Sequence, residues 1–294
     1  MEIQERGANM GGALEKIFGP LSEEVIEKID ALPNFDIAGS DPDEFGFGRE
    51  GVKEYAPLMM FLYEKWFRVE MNGLENVPES GPAIIVPNHS GQLPLDGGMI
   101  ATALLTEREH PRVPRTMIEK WFPTLPLIST LMTRCGQVVG VTENAERLLK
   151  RGELLMIFPE GMKGSGKLYS QRYQLQKFAM GFMELSIRYK APIIPAAVIG
   201  GEEQAPSFYN VESIAKKLGM PYFPLTPQFP WLGPLGLMPF PSKYRIYIGE
   251  PMDFSDRAGD LDKPDVIREL ADSVRERVQE MVNEGLKKRP FPGF

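Results

Sequence analysis

The chain of 294 residues has one cysteine, two histidines and no long uninterrupted apolar run. The single cysteine, Cys135, excludes an internal disulfide and a cysteine-rich zinc site, and is typical of a reducing compartment. No stretch approaches the roughly 18 apolar residues of a membrane span, and the first residues lack the apolar core of a secretory signal. We therefore expect a cytoplasmic protein that is soluble or bound to a membrane surface.

An excess of positive charge is also missing, since the formal net charge is −7 and the pI is near 5.2. An acidic chain is a poor match for nucleic acid, and its charge weakens purely electrostatic attraction to anionic lipid. We therefore expect no nucleic-acid partner. Any contact with a membrane has to depend on apolar insertion.

From residue 81 onward, short apolar runs alternate with helical patterns. The predicted strands are Ala83 to Pro87, Gln137 to Val141, Glu153 to Phe158, Pro192 to Ile199 and Tyr244 to Gly249. The predicted helices between them are Leu127 to Arg134, Ala145 to Lys150 and Leu175 to Tyr189. Alternating strands and helices predict an α/β fold with a central sheet, mostly parallel or mixed, flanked by helices.

Helical patterns also precede and follow this region. Two short amphipathic helices are predicted before residue 33, an almost wholly apolar helix at Leu58 to Trp66, and a final helix at Pro264 to Leu286. These patterns divide the chain into an N-terminal helical segment (1–72), an α/β domain (73–250) and a C-terminal helix (251–294). The Leu58 to Trp66 helix either packs in the core or anchors the protein at a membrane interface.

One segment, residues 220–241, breaks the alternation because it is crowded with prolines and large apolar side chains. Prolines at this density exclude a regular helix and indicate an excursion from the α/β domain. We call it the proline-rich segment. It has three interpretations: a loop packed on its own core, a cover over an apolar cleft, or a segment that dips into lipid.

The first candidate site follows the predicted strand Ala83 to Pro87. His89 emerges at the carboxyl end of this strand, where open α/β sheets bind ligands. Pro94 begins the next predicted helix, so Asp96 falls in its first turn, near the positive end of the helix dipole. An ionised carboxylate there can hold the Nδ1 proton of His89 and leave Nε2 as a base. The pair predicts a catalytic base, and a structural histidine is the alternative.

A second polar cluster follows the predicted strand Glu153 to Phe158. Glu160 and Gly161 come directly after Pro159, and Lys163 and Lys167 follow. A glycine lets the backbone approach a ligand closely, and the carboxylate and cations supply an acceptor and donors. This cluster predicts a polar-headgroup site. The structural alternatives are a turn capped by the glutamate and lysines that are solvated surface charges.

The two clusters together resemble the glycerolipid acyltransferase superfamily, the lysophospholipid and glycerophosphate acyltransferases. The matching motifs, in the family's order, are Asn88-His89 with Asp96, Phe158-Pro159-Glu160-Gly161 with Lys163, and Pro192-Ile-Ile-Pro195. The resemblance covers about residues 73 to 249. It implies transfer of a fatty acyl group from acyl-CoA or acyl-carrier protein to a lipid hydroxyl, with no cofactor. It also implies that His89 is the base, that Asp96 orients it, and that the Glu160–Gly161 turn holds the acceptor.

Two departures from the family pattern bear on this interpretation. The usual spacing is His-x4-Asp, whereas this chain has His-x6-Asp, with Pro94 at the usual Asp position. A two-residue insertion before the helix restores the contact, as in branches nearer the monoacylglycerol-acyltransferase type. Thr142 stands where enzymes that use phosphate-bearing acceptors carry an arginine, which weakens the case for such an acceptor.

We therefore predict a peripheral enzyme on the inner face of a membrane that acylates a lysophospholipid or an acylglycerol. Ser90 and the backbone amides after it are expected to bind substrate at its oxyanion. One alternative is an inactive or hydrolytic lipid-binding protein. The other is a nucleotide-binding loop, since Gly161 to Lys167 matches Gly-x4-Gly-Lys, but Leu168 replaces the Ser or Thr that binds Mg²⁺.

Overall fold

The computed structural model describes residues 11–33, 41–89, 94–120, 132–218 and 223–289. Its strands are β1 (Glu70–Asn72), β2 (Ala83–Pro87), β3 (Arg115–Ile118), β4 (Val138–Val139), β5 (Leu154–Met156), β6 (Ile193–Ile199), β7 (Tyr209–Asn210), β8 (Pro224–Leu225) and β9 (Arg245–Ile248). Seven of them form one sheet in the order β1-β9-β6-β2-β5-β3-β4, and β7 pairs with β8. Neighbours in the large sheet are parallel except β6 and β9. This is the mostly parallel α/β sheet that the sequence predicts.

Helices cover both faces of the sheet. They are α1 (residues 11–18), α2 (Glu23–Asp30), α3 (Arg49–Phe61), α4 (Leu95–Thr106), α5 (Thr142–Lys150), α6 (Met162–Ser165), α7 (Gly181–Tyr189), α8 (Glu212–Leu218) and α9 (Pro264–Lys287). Helix α3 continues into a π-helical turn, Leu62–Trp66. Among the described residues, no helix combines the length and the apolar character needed to cross a bilayer.

The central strands are buried on both faces, which explains their uninterrupted apolar sequence. In β6, Ile193 and Ala197 pack in one core with α5, α7 and α9, while Ile194 and Val198 pack in another with α4. Strand β2 divides its side chains between the same two cores. Alternating residues therefore fix the sheet between two helical layers.

Two sequence predictions need correction. The helix expected from Leu175 begins only at Gly181, because three N–H groups before it bind elsewhere: Leu175 donates to Gln279 Oε1, Gln176 to Glu160 and Ala179 to the Pro159 carbonyl. The helix expected from Leu58 begins earlier, at Arg49, and contains Pro57. Of the helix expected at Leu127 to Arg134, residues 127–131 lie outside the described residues, and 132–134 are helical.

Strand β3 was not apparent from the sequence, because its first residue is an arginine. Arg115 is wholly buried, pairs with Asp43 at 2.7 Å and Glu153 at 2.9 Å, and lies over the Phe47 ring. Buried charges require such partners. Asp43 is 72 positions from Arg115, so nothing near the strand in sequence indicates that the arginine is tolerated there.

Candidate active site

Both predicted motifs lie at one edge of the central sheet. Strand β2 is parallel to β5 on one side and to β6 on the other, so the carboxyl ends of all three strands share an edge. His89 follows β2, the Phe158 to Gly161 turn follows β5, and Gly201–Glu203 follows β6. Strand pairing therefore brings together two motifs that are far apart in the sequence.

Hydrogen bonds fix the backbone around His89 on two sides. Asn88 is wholly buried; its Nδ2 donates to the Val198 carbonyl at 3.0 Å, and its Oδ1 accepts from the Val198 N–H at 2.7 Å. The His89 N–H donates to Glu160 Oε1 at 2.8 Å. The imidazole packs on the Phe158 ring, with 4.5 Å between ring centroids. Both the main chain and the ring of His89 are therefore held in place.

Asp96 binds the imidazole directly. Its Oδ2 lies 3.0 Å from His89 Nδ1, and its Oδ1 accepts the Gly97 N–H at 2.8 Å in the first turn of α4. A carboxylate in this position favours the tautomer with the proton on Nδ1 and leaves Nε2 as the acceptor. The His-x6-Asp spacing thus brings the two side chains into contact.

The surroundings of His89 also affect its basicity. Burial by itself would lower the pKa of His89, but the charge and hydrogen bond of Asp96, with the charge of Glu160, outweigh it. The net result is a pKa above the ordinary histidine value. The imidazole is therefore a stronger base than a free histidine.

Glu160 and Lys167 are buried behind His89. Besides the His89 N–H, the Glu160 carboxylate accepts the Gln176 N–H at 2.7 Å, and it lies 3.3 Å from Lys167 Nζ. The same Nζ lies 3.1 Å from Glu202 Oε1. These polar atoms all contact protein groups, and acceptor binding by Glu160 and Lys167 stays a prediction. Together they form an ion-pair network that supports the His89 backbone.

Gly161 and Lys163 lie on the open side of the turn. Gly161 has φ +53°, a conformation that favours glycine, and a Cβ added there would lie 3.3 Å from Glu119 Oε1. Lys163 is exposed on α6. Ser90 lies outside the described residues, so its contact with substrate stays a prediction.

His89 lines a cavity of about 340 Å³. Its walls are largely apolar and include Ile118, Val141, Ile157, Phe158, Met162 and Phe182. A second cavity of about 170 Å³ between α3 and α4 shares Pro94, Gly98, Met132 and Gln137 with the first. The histidine thus borders apolar space that extends into the helical layer.

Three residues that support this site were given no role by the sequence. Asn88 and Glu202 make the contacts described above. A Cβ added at Gly164 would lie 2.6 Å from Glu160 Cβ and 2.9 Å from His89 Cβ, so glycine allows α6 to pack against both. The one local signal was the repeated glycine in residues 161–166, which is unusual inside a helical turn.

Several known proteins resemble this chain in sequence. The family model described as Acyltransferase matches residues 68–199. "Uncharacterized protein Rv0502" of Mycobacterium tuberculosis is 44% identical over 241 residues, which cover 81% of this chain and 67% of that protein. A chicken protein, "DGAT1/2-independent enzyme synthesizing storage lipids", is 29% identical over 192 residues, covering 64% of this chain and 53% of that protein. The matched part is therefore about two thirds of the first relative and about half of the second.

A solved structure has the same fold. It is the 1-acyl-sn-glycerophosphate acyltransferase PlsC from Thermotoga maritima, with a TM-score of 0.52 and 19% sequence identity over 82% of this chain and 83% of that one. The region matched by the family model contains both motifs at the sheet edge, His89 with Asp96 and the turn after Phe158. The chain belongs to the acyltransferase family that this model describes.

Proposed function

We propose that this acyltransferase moves a fatty acyl group from acyl-CoA or acyl-carrier protein to the hydroxyl of a glycerolipid, with His89 as the general base. The observation that carries the proposal is the hydrogen bond between Asp96 and His89 Nδ1 at the wall of the apolar cavity. It leaves Nε2 available to a hydroxyl. The apolar lining suits an acyl chain next to the reacting groups.

In the proposed reaction, the acceptor hydroxyl loses its proton to His89 Nε2 while its oxygen attacks the thioester carbonyl. The new C–O bond gives a tetrahedral oxyanion, for which we infer backbone amides after His89 as donors. Collapse of this intermediate breaks the C–S bond, and the departing thiolate takes the proton from the imidazolium. The products are an ester and a free thiol, and Asp96 stabilises the imidazolium between the two proton transfers.

The cavity favours an acceptor without a phosphate group. Glu119 and His89 are the ionisable residues among the described lining, and Thr142 also lines the cavity. Within the described lining, a phosphate would lie near the Glu119 carboxylate with no Lys or Arg side chain to pair with it. A relative named for storage lipids also supports an acylglycerol acceptor.

Replacement of the base tests the mechanism directly. We expect His89→Ala to lower the rate of acyl transfer by about 10²- to 10⁴-fold, because the positioned proton acceptor is lost. Free-thiol release from acyl-CoA in the presence of a monoacylglycerol measures the rate, and circular dichroism and thermal unfolding verify the fold. More than a few per cent of the wild-type rate in a folded variant would contradict the assignment.

The pH dependence of the reaction reports on the His89–Asp96 pair. Because the unprotonated imidazole is the active form and its pKa is raised, kcat/KM should fall with decreasing pH through a midpoint above about 6.5. Asp96→Asn removes the charge that raises this pKa, so the midpoint should move to lower pH while the plateau drops by about 10²- to 10⁴-fold. A midpoint unchanged by the substitution would rule out Asp96 as the partner of the base.

Substitution of Glu160 separates a positioning role from acceptor binding. Glu160→Gln removes the buried charge and leaves one of its N–H partners without an acceptor, so the histidine should shift. We expect kcat to fall about 10- to 100-fold, with little change in the KM for the acceptor. Lys163→Gln, on the exposed side of the same turn, is the matched variant, and there any effect should be on KM. A rise in KM alone for Glu160→Gln would contradict the positioning role and support acceptor binding.

A panel of acceptors tests the inferred class of substrate. Monoacylglycerol should be acylated at least about tenfold faster than lysophosphatidic acid at equal concentration, because a buried phosphate without a cation is strongly disfavoured. Thr142→Arg should increase the rate with lysophosphatidic acid and leave the monoacylglycerol rate largely unchanged. Faster acylation of lysophosphatidic acid by the unmodified protein would disprove the neutral-acceptor assignment while leaving the role of His89 intact.

A further inference from the structure

Exposed apolar side chains are concentrated in the proline-rich segment. Trp231, Leu232, Leu235 and Met238 are between 52% and 72% exposed, and we call these four the apolar apex. Phe208 and Tyr209, at the neighbouring strand β7, are also exposed. Single exposed apolar residues are ordinary on protein surfaces, whereas a group of large ones marks an interaction site.

The proline-rich segment is anchored at its base. Trp66 Nε1 donates to the Pro239 carbonyl at 3.1 Å, and Arg68 Nη2 donates to the Pro241 carbonyl at 2.9 Å. At its other end, β8 pairs with β7. Between these anchors the four apex side chains are each more than half exposed within the described part of the chain, so they are accessible to a binding partner.

The base of this segment lies on the sheet edge that carries the catalytic residues. Strand β7 follows the carboxyl end of β6, and Asn210 Nδ2 donates to the Gly166 carbonyl at 2.9 Å. The Ser207 carbonyl accepts the Tyr169 N–H at 2.7 Å. These contacts attach the segment to the chain that follows the Glu160 turn. A surface bound by the apex would therefore lie at the edge that bears His89.

The charge pattern of this region identifies the kind of surface. Residues 218–242 contain no charged side chain, although 25% of the chain is charged. Lys216 and Lys217 precede the segment on α8 and are exposed, and Arg68 is exposed at its base. Cations around an apolar projection that contains tryptophan match a layer of anionic headgroups over hydrocarbon. The chain as a whole is acidic, so the match to an anionic surface is confined to this region.

We propose that the apolar apex inserts into the headgroup–acyl boundary of an anionic bilayer, with Lys216 and Lys217 at the level of the lipid phosphates. Interfacial insertion of this kind requires no membrane span, because a few large apolar side chains and nearby cations supply the attraction. The inference goes beyond the proposed function, since binding to a bilayer needs neither the His89 base nor an acyl donor.

Vesicle co-sedimentation of the full chain tests the apolar part of the proposal. The vesicles consist of phosphatidylcholine alone or mixed with phosphatidylglycerol. We expect Trp231→Ser/Leu235→Ser/Met238→Ser to weaken partitioning to the mixed vesicles by at least about tenfold. The control is Ile26→Ser, which removes an exposed apolar side chain from α2. This helix lies by the carboxyl end of α4, since Lys28 Nζ donates to the Thr106 carbonyl there. This control should bind as the unmodified protein does.

Matched charge variants test the cationic part. Lys216→Gln/Lys217→Gln should weaken binding to the mixed vesicles about fivefold or more, with little effect on pure phosphatidylcholine. Lys150→Gln/Lys190→Gln removes the same charge from exposed lysines that precede β5 and β6, at the opposite sheet edge. It should leave binding unchanged. Equal losses in the two double variants would show that only net charge matters and would overturn the assigned orientation.

Fluorescence gives a direct readout of insertion, since the chain has three tryptophans. Lipids with brominated acyl chains should quench the unmodified protein, and Trp231→Phe should show less quenching while still binding. Unchanged binding by the folded triple variant would overturn the proposal. The proposal would also be overturned if the unmodified protein is a dimer, the triple variant is a monomer, and both bind vesicles equally well. The apex would then contact a second copy of the chain.

Discussion

One buried carboxylate, that of Glu160, holds the two halves of the catalytic edge together. It accepts the N–H of His89, 71 positions away in sequence, and that of Gln176, and it pairs with Lys167. A charge removed from water is tolerated only when its partners are all in place, so these contacts form together or not at all. The loop after β2 and the turn after β5 are therefore constrained to one relative position.

Glu160 and Asp96 act on His89 in different ways. Asp96 binds the ring and sets its tautomer, whereas Glu160 binds the main chain and sets the position of the residue. Their charges also add, and together they overcome the effect of burial and raise the pKa of His89. A higher pKa makes Nε2 a better proton acceptor but reduces the unprotonated fraction in acid. Lys167 opposes the shift, since its charge lowers the pKa of the same imidazole.

The sequence predicts the parts of this site that depend on local pattern. The apolar run of β2 and the proline before α4 place His89 and Asp96 at adjoining ends of a strand and a helix, which is enough to predict their contact. The burial of Glu160 and Lys167 was not predictable in this way. A charged side chain is ordinarily exposed. Burial of Glu160 depends on the Gln176 N–H, and burial of Lys167 depends on Glu202. These partners come into contact only when the chain after β5 packs against the chain after β6. Arg115 in β3 escaped prediction for the same reason.

Under the proposed function, the apolar cavity and the exposed apex address one physical problem, the transfer of a lipid out of a bilayer. Each methylene moved from hydrocarbon into water costs about 0.8 kcal/mol, so an acyl chain that crossed solvent to reach His89 would face a prohibitive barrier. An apolar cavity avoids this cost only if its edge of the molecule meets the lipid surface. The apex projects from the sheet edge that carries His89. In the proposed reaction, the orientation of the protein on a membrane is therefore as much a part of catalysis as the position of the base.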